Sequence, residues 1–213
     1  MIAFASSLQL AFLINSLATK SSTAKIKLAM KKNSIYADDN TESISTLLKI
    51  RLPSLTFGLI LGVLVSFITS RFEQVLSQNV KVAFFLPFIM YMADAIGTQT
   101  QSIYSRNLKS GKAKFHIYFF KELLLGITIG IVFGMISGTF VQLWFADYKL
   151  TLSVGLSMFA VTSTSPIVAL LITQAVQMLH KDPAAGSGPI DSVIQSMFSV
   201  LIYGTICSII FLR

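Results

Sequence analysis

Charge is what this sequence has least of. Asp, Glu, Lys and Arg make up 12% of its 213 residues, against about 25% in soluble globular domains. Hydrophobic residues make up 54%, so a chain built from several soluble domains is excluded, and the length suits one compact membrane domain. Cysteine is nearly absent. Cys207 stands alone in a late apolar run, which excludes a disulfide framework and a cysteine metal site. Histidine is limited to His116 and His180, in or beside basic loops. Metal centres need clustered ligands, so both read as solvated groups. No clustered catalytic acids, nucleophile–base pair or phosphate loop occurs, and no enzyme is expected. Neither an internal repeat nor a low-complexity tract is found.

What is present is long apolar runs. A spanning helix needs about 20 mainly apolar residues. Five segments meet this, at 53–70, 82–105, 118–144, 150–179 and 191–212. The expected fold is therefore an all-α, five-helix bundle crossing the cell membrane several times. Pro53 suits the first turn of its helix, where a missing N–H costs nothing. The net charge of +8 reads as loop charge and not as a nucleic-acid surface. Of 17 Lys and Arg, 13 fall before span one, between spans two and three (Lys121 at the helix edge included) and between spans four and five. That asymmetry places the N-terminus in the cytoplasm. Trp144 and Tyr148 then belong to the outer interface.

Residues 1–52 form the first region and 53–213 the membrane domain. The first 19 residues lack a basic leader, which argues against a signal peptide. Polar residues dilute them, so they read as an interfacial helix, with a sixth span as the alternative. Residues 33–41 read as a polar linker, and "TESISTLLKIRLP" as a short amphipathic helix leading into span one.

Two kinds of small or polar residue interrupt the spans. Gly126, Gly130, Gly134 and Gly138 recur every four residues in span three, and Gly58 and Gly62 do so in span one. This spacing gives a smooth face for close helix approach, within one chain or between two. The second kind is polar. Asp94 lies inside span two, where a charge costs about 2.5–3.5 kcal/mol and by default marks an ion pathway. On a helix it shares a face with Thr98, Gln101 and Ser105. Carboxylate, hydroxyl and amide oxygens are what hard cations prefer, and Mg2+ often uses only one or two carboxylates beside its waters. Asp94 could instead only specify packing through a hydrogen bond. In span five, Asp191 is either a helix cap or a ligand. Gln195 lies one turn on, and Ser192, Ser196 and Ser199 share a face. Ser/Thr groups in spans also serve as helix–helix glue. Glu122, at the cytoplasmic start of span three, reads as the partner of a loop lysine or as part of an entrance. Gly97 permits a kink or a close approach.

The order of these pieces resembles the membrane domain of the MgtE family of magnesium transporters and its eukaryotic solute-carrier relatives. "RLPSL", "FFLPFIMYMADAIGTQTQS", "KELLLGITIGIVFG" and "DPAAGSGPI…VLIY" carry the resemblance, over about residues 45–212. It implies a homodimer in the lipid bilayer, with a pathway for a partly hydrated divalent cation, Mg2+ as transported ion, lined by the second and fifth helices. Asp94, Thr98, Gln101, Asp191, Gln195 and Ser196 are then the candidate metal ligands. Gly97, Gln99, Glu122, Asp182, Ser187, Ser192 and Ser199 line the pathway or support it.

Three departures stand out. The family's Gly-Gly-Asn-x-Gly-x-Gln pattern keeps Gly97 and Gln99, but Ala95 takes the Asn position and an acid appears at Asp94. The family's fifth-helix aspartate falls on Ser196, so the charge is expected from Asp94 and Asp191. Residues 1–52 are too short for the family's soluble sensor and CBS domains, so closure of that kind is not expected. A structural, non-transporting or degenerate member is the alternative.

Overall fold

The computed structural model describes residues 43–111, 113–178 and 183–212. The expectations for residues 1–19 and 33–41, and for His180, Lys181 and Asp182, lie outside these. So does the Ser187 side chain. Contacts divide the chain into Met1–Ile50 and Arg51–Arg213, and of the first only residues 43–50 are described.

Six helices follow in order: α1 (Ile44–Ser70), α2 (Glu73–Gln78), α3 (Val80–Lys109), α4 (Phe115–Phe145), α5 (Tyr148–Met178) and α6 (Pro183–Phe211). No strand occurs among the described residues. Five helices are long and apolar enough to cross a membrane, and all but α2 are among them. The expected spans are therefore present, each within a longer helix. The chain is an all-α membrane bundle.

α1 corrects one detail. Pro53 does not open the helix but sits inside it, because the helix begins earlier, where the Ser43 hydroxyl accepts from the Thr46 N–H at 3.4 Å. An interior proline loses one backbone bond. Pro87 in α3 and Pro166 in α5 repeat the pattern, which membrane helices tolerate when neighbours satisfy the freed groups.

The turns have identifiable chemistry. Asn79 ends α2 and caps α3, its side chain accepting from the Lys81 N–H. Between α4 and α5, Ala146 takes a left-handed φ of 48° and donates its N–H to the Gln142 carbonyl. Asp147 then caps α5 by accepting from the Leu150 N–H at 3.1 Å. Two residues thus reverse the chain, and α4 and α5 pack along their lengths. Trp144 and Tyr148 are exposed at this turn.

α5 is the central helix and packs against α3, α4 and α6. An apolar core of Val82, Phe85, Ile89, Val141, Leu150, Val154, Met158 and Tyr203 fills the end of the bundle near the α4–α5 turn. The Tyr203 hydroxyl reaches the Val82 carbonyl at 2.7 Å, tying α6 to α3. α1 is different: no residue of its apolar window is buried.

Candidate functional site

Beyond the apolar core, α3, α5 and α6 meet through polar groups. Gly97 on α3 is the close point. A Cβ there would collide with the Gln195 amide nitrogen of α6 and lie 3.2 Å from the Ser165 hydroxyl of α5. The sequence suggests a kink or a backbone approach at Gly97; what occupies the space is a side chain. Gln195, 1% exposed, uses that amide as a clasp. It donates to the Ser165 carbonyl at 3.0 Å and to Asp191 Oδ1 at 3.4 Å. The Ser165 hydroxyl in turn donates to the Ala93 carbonyl at 2.5 Å. Three helices are thereby locked at one level.

Asp94 lies one turn before Gly97, on the same side of α3. Its Oδ1 is buried and has no hydrogen-bond partner. Asp191 lies one turn before Gln195, and is 1% exposed. Its Oδ2 also lacks a partner. α3 and α6 run antiparallel, so Asp94 and Asp191 lie on opposite sides of the Gly97–Gln195 contact. The structure therefore places the two acids that the sequence singles out along the same α3–α6 seam, one on each side of that contact. It removes the capping role for Asp191, because α6 starts at Pro183 and places Asp191 two turns inside the helix.

The other candidates separate. The row Asp94, Thr98, Gln101 and Ser105 divides: Gln101 and Ser105 are buried, Asp94 is half-buried, and Thr98 is exposed together with Gln99. On α6, Ser199 is buried with Asp191 and Gln195, while Ser192 and Ser196 are half-buried. Ser196 and Ser199 donate to the carbonyls of Ser192 and Gln195 in their own helix, at 2.8 and 2.7 Å. Such bonding within a helix leaves each oxygen able to accept or ligate further. Glu122 accepts from the Thr100 hydroxyl at 2.8 Å. That bond joins α4 to α3, a contact that the sequence reading of Glu122 does not include.

The expected glycine face is present on α4. Cβ atoms at Gly126 and Gly134 would lie 2.6 and 2.8 Å from the carbonyl oxygens of Ser163 and Gly155, and one at Gly130 2.8 Å from that of Phe159. Gly138 is in looser contact, at 3.7 Å. Gly62 on α1 has nothing within 4 Å, so the small-residue face of α1, with half-buried Gly58, makes no such approach at Gly62 inside the chain. Ser165 was missed by sequence reasoning. Its signal was the run Thr162–Ser165 directly before Pro166, dense in hydroxyls at a helix-breaking position.

A family model described as a divalent cation transporter, MgtE, matches residues 86–206. The chain belongs to the MgtE family. Asp94, Gly97, Ser165, Asp191 and Gln195 all fall within the matched region, and α1 lies outside it. The chain is 30% identical to the magnesium transporter MgtE of Bacillus subtilis over 156 residues, covering 72% of this chain and 35% of that protein. It is 30% identical to the magnesium transporter MgtE of Enterococcus faecalis, covering 74% and 36%. To the magnesium transporter MgtE of Thermus thermophilus it is 24% identical, covering 67% and 32%. The chain thus spans about a third of the length of these curated relatives. MgtE is a family of transporters and not of enzymes, and this member is a multi-pass membrane protein with five spanning helices.

Proposed function

We propose that this MgtE-family chain carries a divalent cation, Mg2+ foremost, across the membrane along a polar path lined by α3 and α6. Two copies face one another across that path as a homodimer. The observation that carries the reading is the exposed oxygen row on α3. Thr98, Gln99 and Ser102 are exposed in the same stretch of helix, in one of the helices long and apolar enough to cross a membrane. Polar side chains at that depth face water or a partner, not lipid. Half-buried Ser192 and Ser196 on α6 add further oxygens. The row has few charges, which suits a cation that keeps part of its water shell. The two relatives at 30% identity are named magnesium transporters, and this supports Mg2+ as cargo. The ion is substrate, held in passing, and the bilayer and a second copy are the partners.

The test is flux. Purified protein in liposomes with an enclosed Mg2+-sensitive dye receives an inward Mg2+ gradient, with and without Na+. The reading expects Mg2+ entry in the parent and its loss in Asp94→Asn at equal insertion. A need for Na+ assigns coupled transport; entry without it assigns a passive path. No movement of any divalent ion by folded, inserted protein contradicts the reading.

A further inference from the structure

Cations at the two ends of the bundle are held differently. At the end where α3 starts and α4 stops, three of them lie over rings of this chain. The Arg71 guanidinium is 4.6 Å from the Phe67 ring centre, the Lys81 ammonium 5.5 Å from that of Phe145 and the Lys149 ammonium 6.0 Å from that of Phe211. Each is within cation–π range. At the end where α3 stops and α4 starts, Arg106, Lys114 and Lys121 are exposed. Among the described residues, none of these three lies over a ring or pairs with a carboxylate. No Asp or Glu occurs from residue 95 to 121, and Glu122 is engaged by the Thr100 hydroxyl. Lys109 and Lys112 belong to the same stretch, which makes five Lys or Arg between 106 and 121.

Position adds what charge alone does not. Loop cations orient the spans of any membrane protein; a site needs them gathered over a surface that fits the occupant. The Asn107 amide donates to the Tyr118 hydroxyl at 2.5 Å, and the Tyr104 and Tyr118 rings meet edge to face at 4.9 Å. The last turn of α3 and the first turn of α4 are thus fixed side by side. Arg106 directly precedes Asn107. Lys114 and Lys121 lie one turn before and one turn after Tyr118, on one flank of α4. The same flank carries Ile117 and Leu124, 40% and 67% exposed. Lys121 stands roughly 10 Å further along α4 than Lys114, beside lipid tails. A lysine at that depth keeps its stem on apolar surface and its ammonium at the headgroup level. Cations above and bare hydrocarbon below match an anionic phospholipid, with its phosphate above and its acyl chains below. A soluble anion would satisfy the charges and leave the apolar flank unused. We infer that the α3–α4 end of each chain binds the phosphodiester headgroup of an anionic phospholipid. Arg106 offers its planar fork to phosphate oxygens, Lys114 and Lys121 act as point charges, and an acyl chain lies along Ile117 and Leu124. The site needs no ion path, so it goes beyond the transport reading and does not depend on it.

The probe is phosphatidylglycerol, with phosphatidylcholine as its uncharged comparison. The full chain in detergent is titrated with each, and native mass spectrometry resolves the first lipid bound per chain. The parent is expected to prefer phosphatidylglycerol. Lys121→Gln should weaken that binding about five-fold, the effect of one cation beside an anionic headgroup. Arg106→Gln/Lys114→Gln/Lys121→Gln should remove the preference. Arg71→Gln/Lys81→Gln/Lys149→Gln takes the same net charge from the other end and should leave it in place. Lys114→Arg/Lys121→Arg keeps the charge and should bind as the parent does. Should the first triple variant fail to fold, Lys121→Gln beside Lys121→Arg carries the test. Glycerophosphoglycerol, the soluble headgroup, should not displace the lipid at equal concentration. Equal losses in the two triple variants reduce the effect to overall charge and overturn the inference. So does a parent that binds both lipids alike, or phosphatidylglycerol binding that survives substitution at the α3–α4 end. Displacement by glycerophosphoglycerol overturns it in favour of a soluble phosphate.

Discussion

The α4–α5 pair and the α3–α6 seam use the same device for different ends. Both place glycine where a neighbouring helix comes close. On α4, Gly126, Gly130 and Gly134 lie against backbone carbonyls of α5, and beside them runs an apolar groove of about 420 Å³ lined by residues such as Ile131, Met135, Leu156 and Phe159. Nothing charged is enclosed. On α3, Gly97 lies against an amide that holds a carboxylate, and two carboxylate oxygens are left without partners. Close approach in the first pair is an end in itself, since van der Waals contact is the main force joining helices in lipid. In the second it builds an incomplete polar cluster. Small residues therefore mark packing in the first pair, and unpartnered acids mark a polar seam in the second.

Substitutions that exchange these properties should have separable effects. The largest is expected on transport. Asp191→Asn keeps the shape and removes the charge, and should lower Mg2+ flux in liposomes by about one to two orders of magnitude, in line with the ~1.5–3 kcal/mol carried by a contact to a charged group. Unfolding in graded detergent should be unchanged or later. Gly130→Leu reverses this pattern. It forces a side chain into the Phe159 carbonyl and should destabilise the bundle by about 1–3 kcal/mol, read by the same detergent titration. Flux per folded molecule should stay near that of the parent.

Smaller effects sharpen the comparison. Gly97→Ala displaces the Gln195 amide, a movable side-chain end, so the cost is about 1 kcal/mol. It should appear mainly as a several-fold rise in the Mg2+ concentration giving half-maximal flux. Thr100→Val removes the hydroxyl that donates to Glu122. It should cost about 0.5–1.5 kcal/mol of stability with flux unaltered, because this bond joins α3 to α4 away from the seam. Gly62→Leu should leave single-chain stability untouched, since the space around that glycine is empty. A change in copy number measured by cross-linking would assign the α1 face to a second chain.

Much of this was readable in the sequence, for physical reasons. Spanning helices announce themselves through composition and length, so all five were found, and the four-residue glycine spacing named the α4 face that packs. Asp94 and Asp191 stood out because acids are costly at that depth. What periodicity could not supply was the partner across the gap. Ser165 looks like any hydroxyl near a proline until its bonds to α3 and α6 are seen. Thr98 and Gln101 share a helical face with Asp94, yet one is exposed and the other buried, because α5 and α6 cover only part of that face. Asp191 resembled a cap because the start of α6 at Pro183 lies in a stretch rich in Gly and Pro, where a helix is not the natural expectation.

The most direct test is crystallographic. Crystals of the protein in lipid, grown with Mn2+ and measured at a wavelength where manganese scatters anomalously, would show where the ion sits. The account predicts an anomalous peak along the polar path lined by α3 and α6, within one water layer of Asp94 or Asp191, that disappears in Asp94→Asn/Asp191→Asn. Peaks confined to other parts of the molecule, with these two carboxylates left bare in well-ordered density, would contradict it.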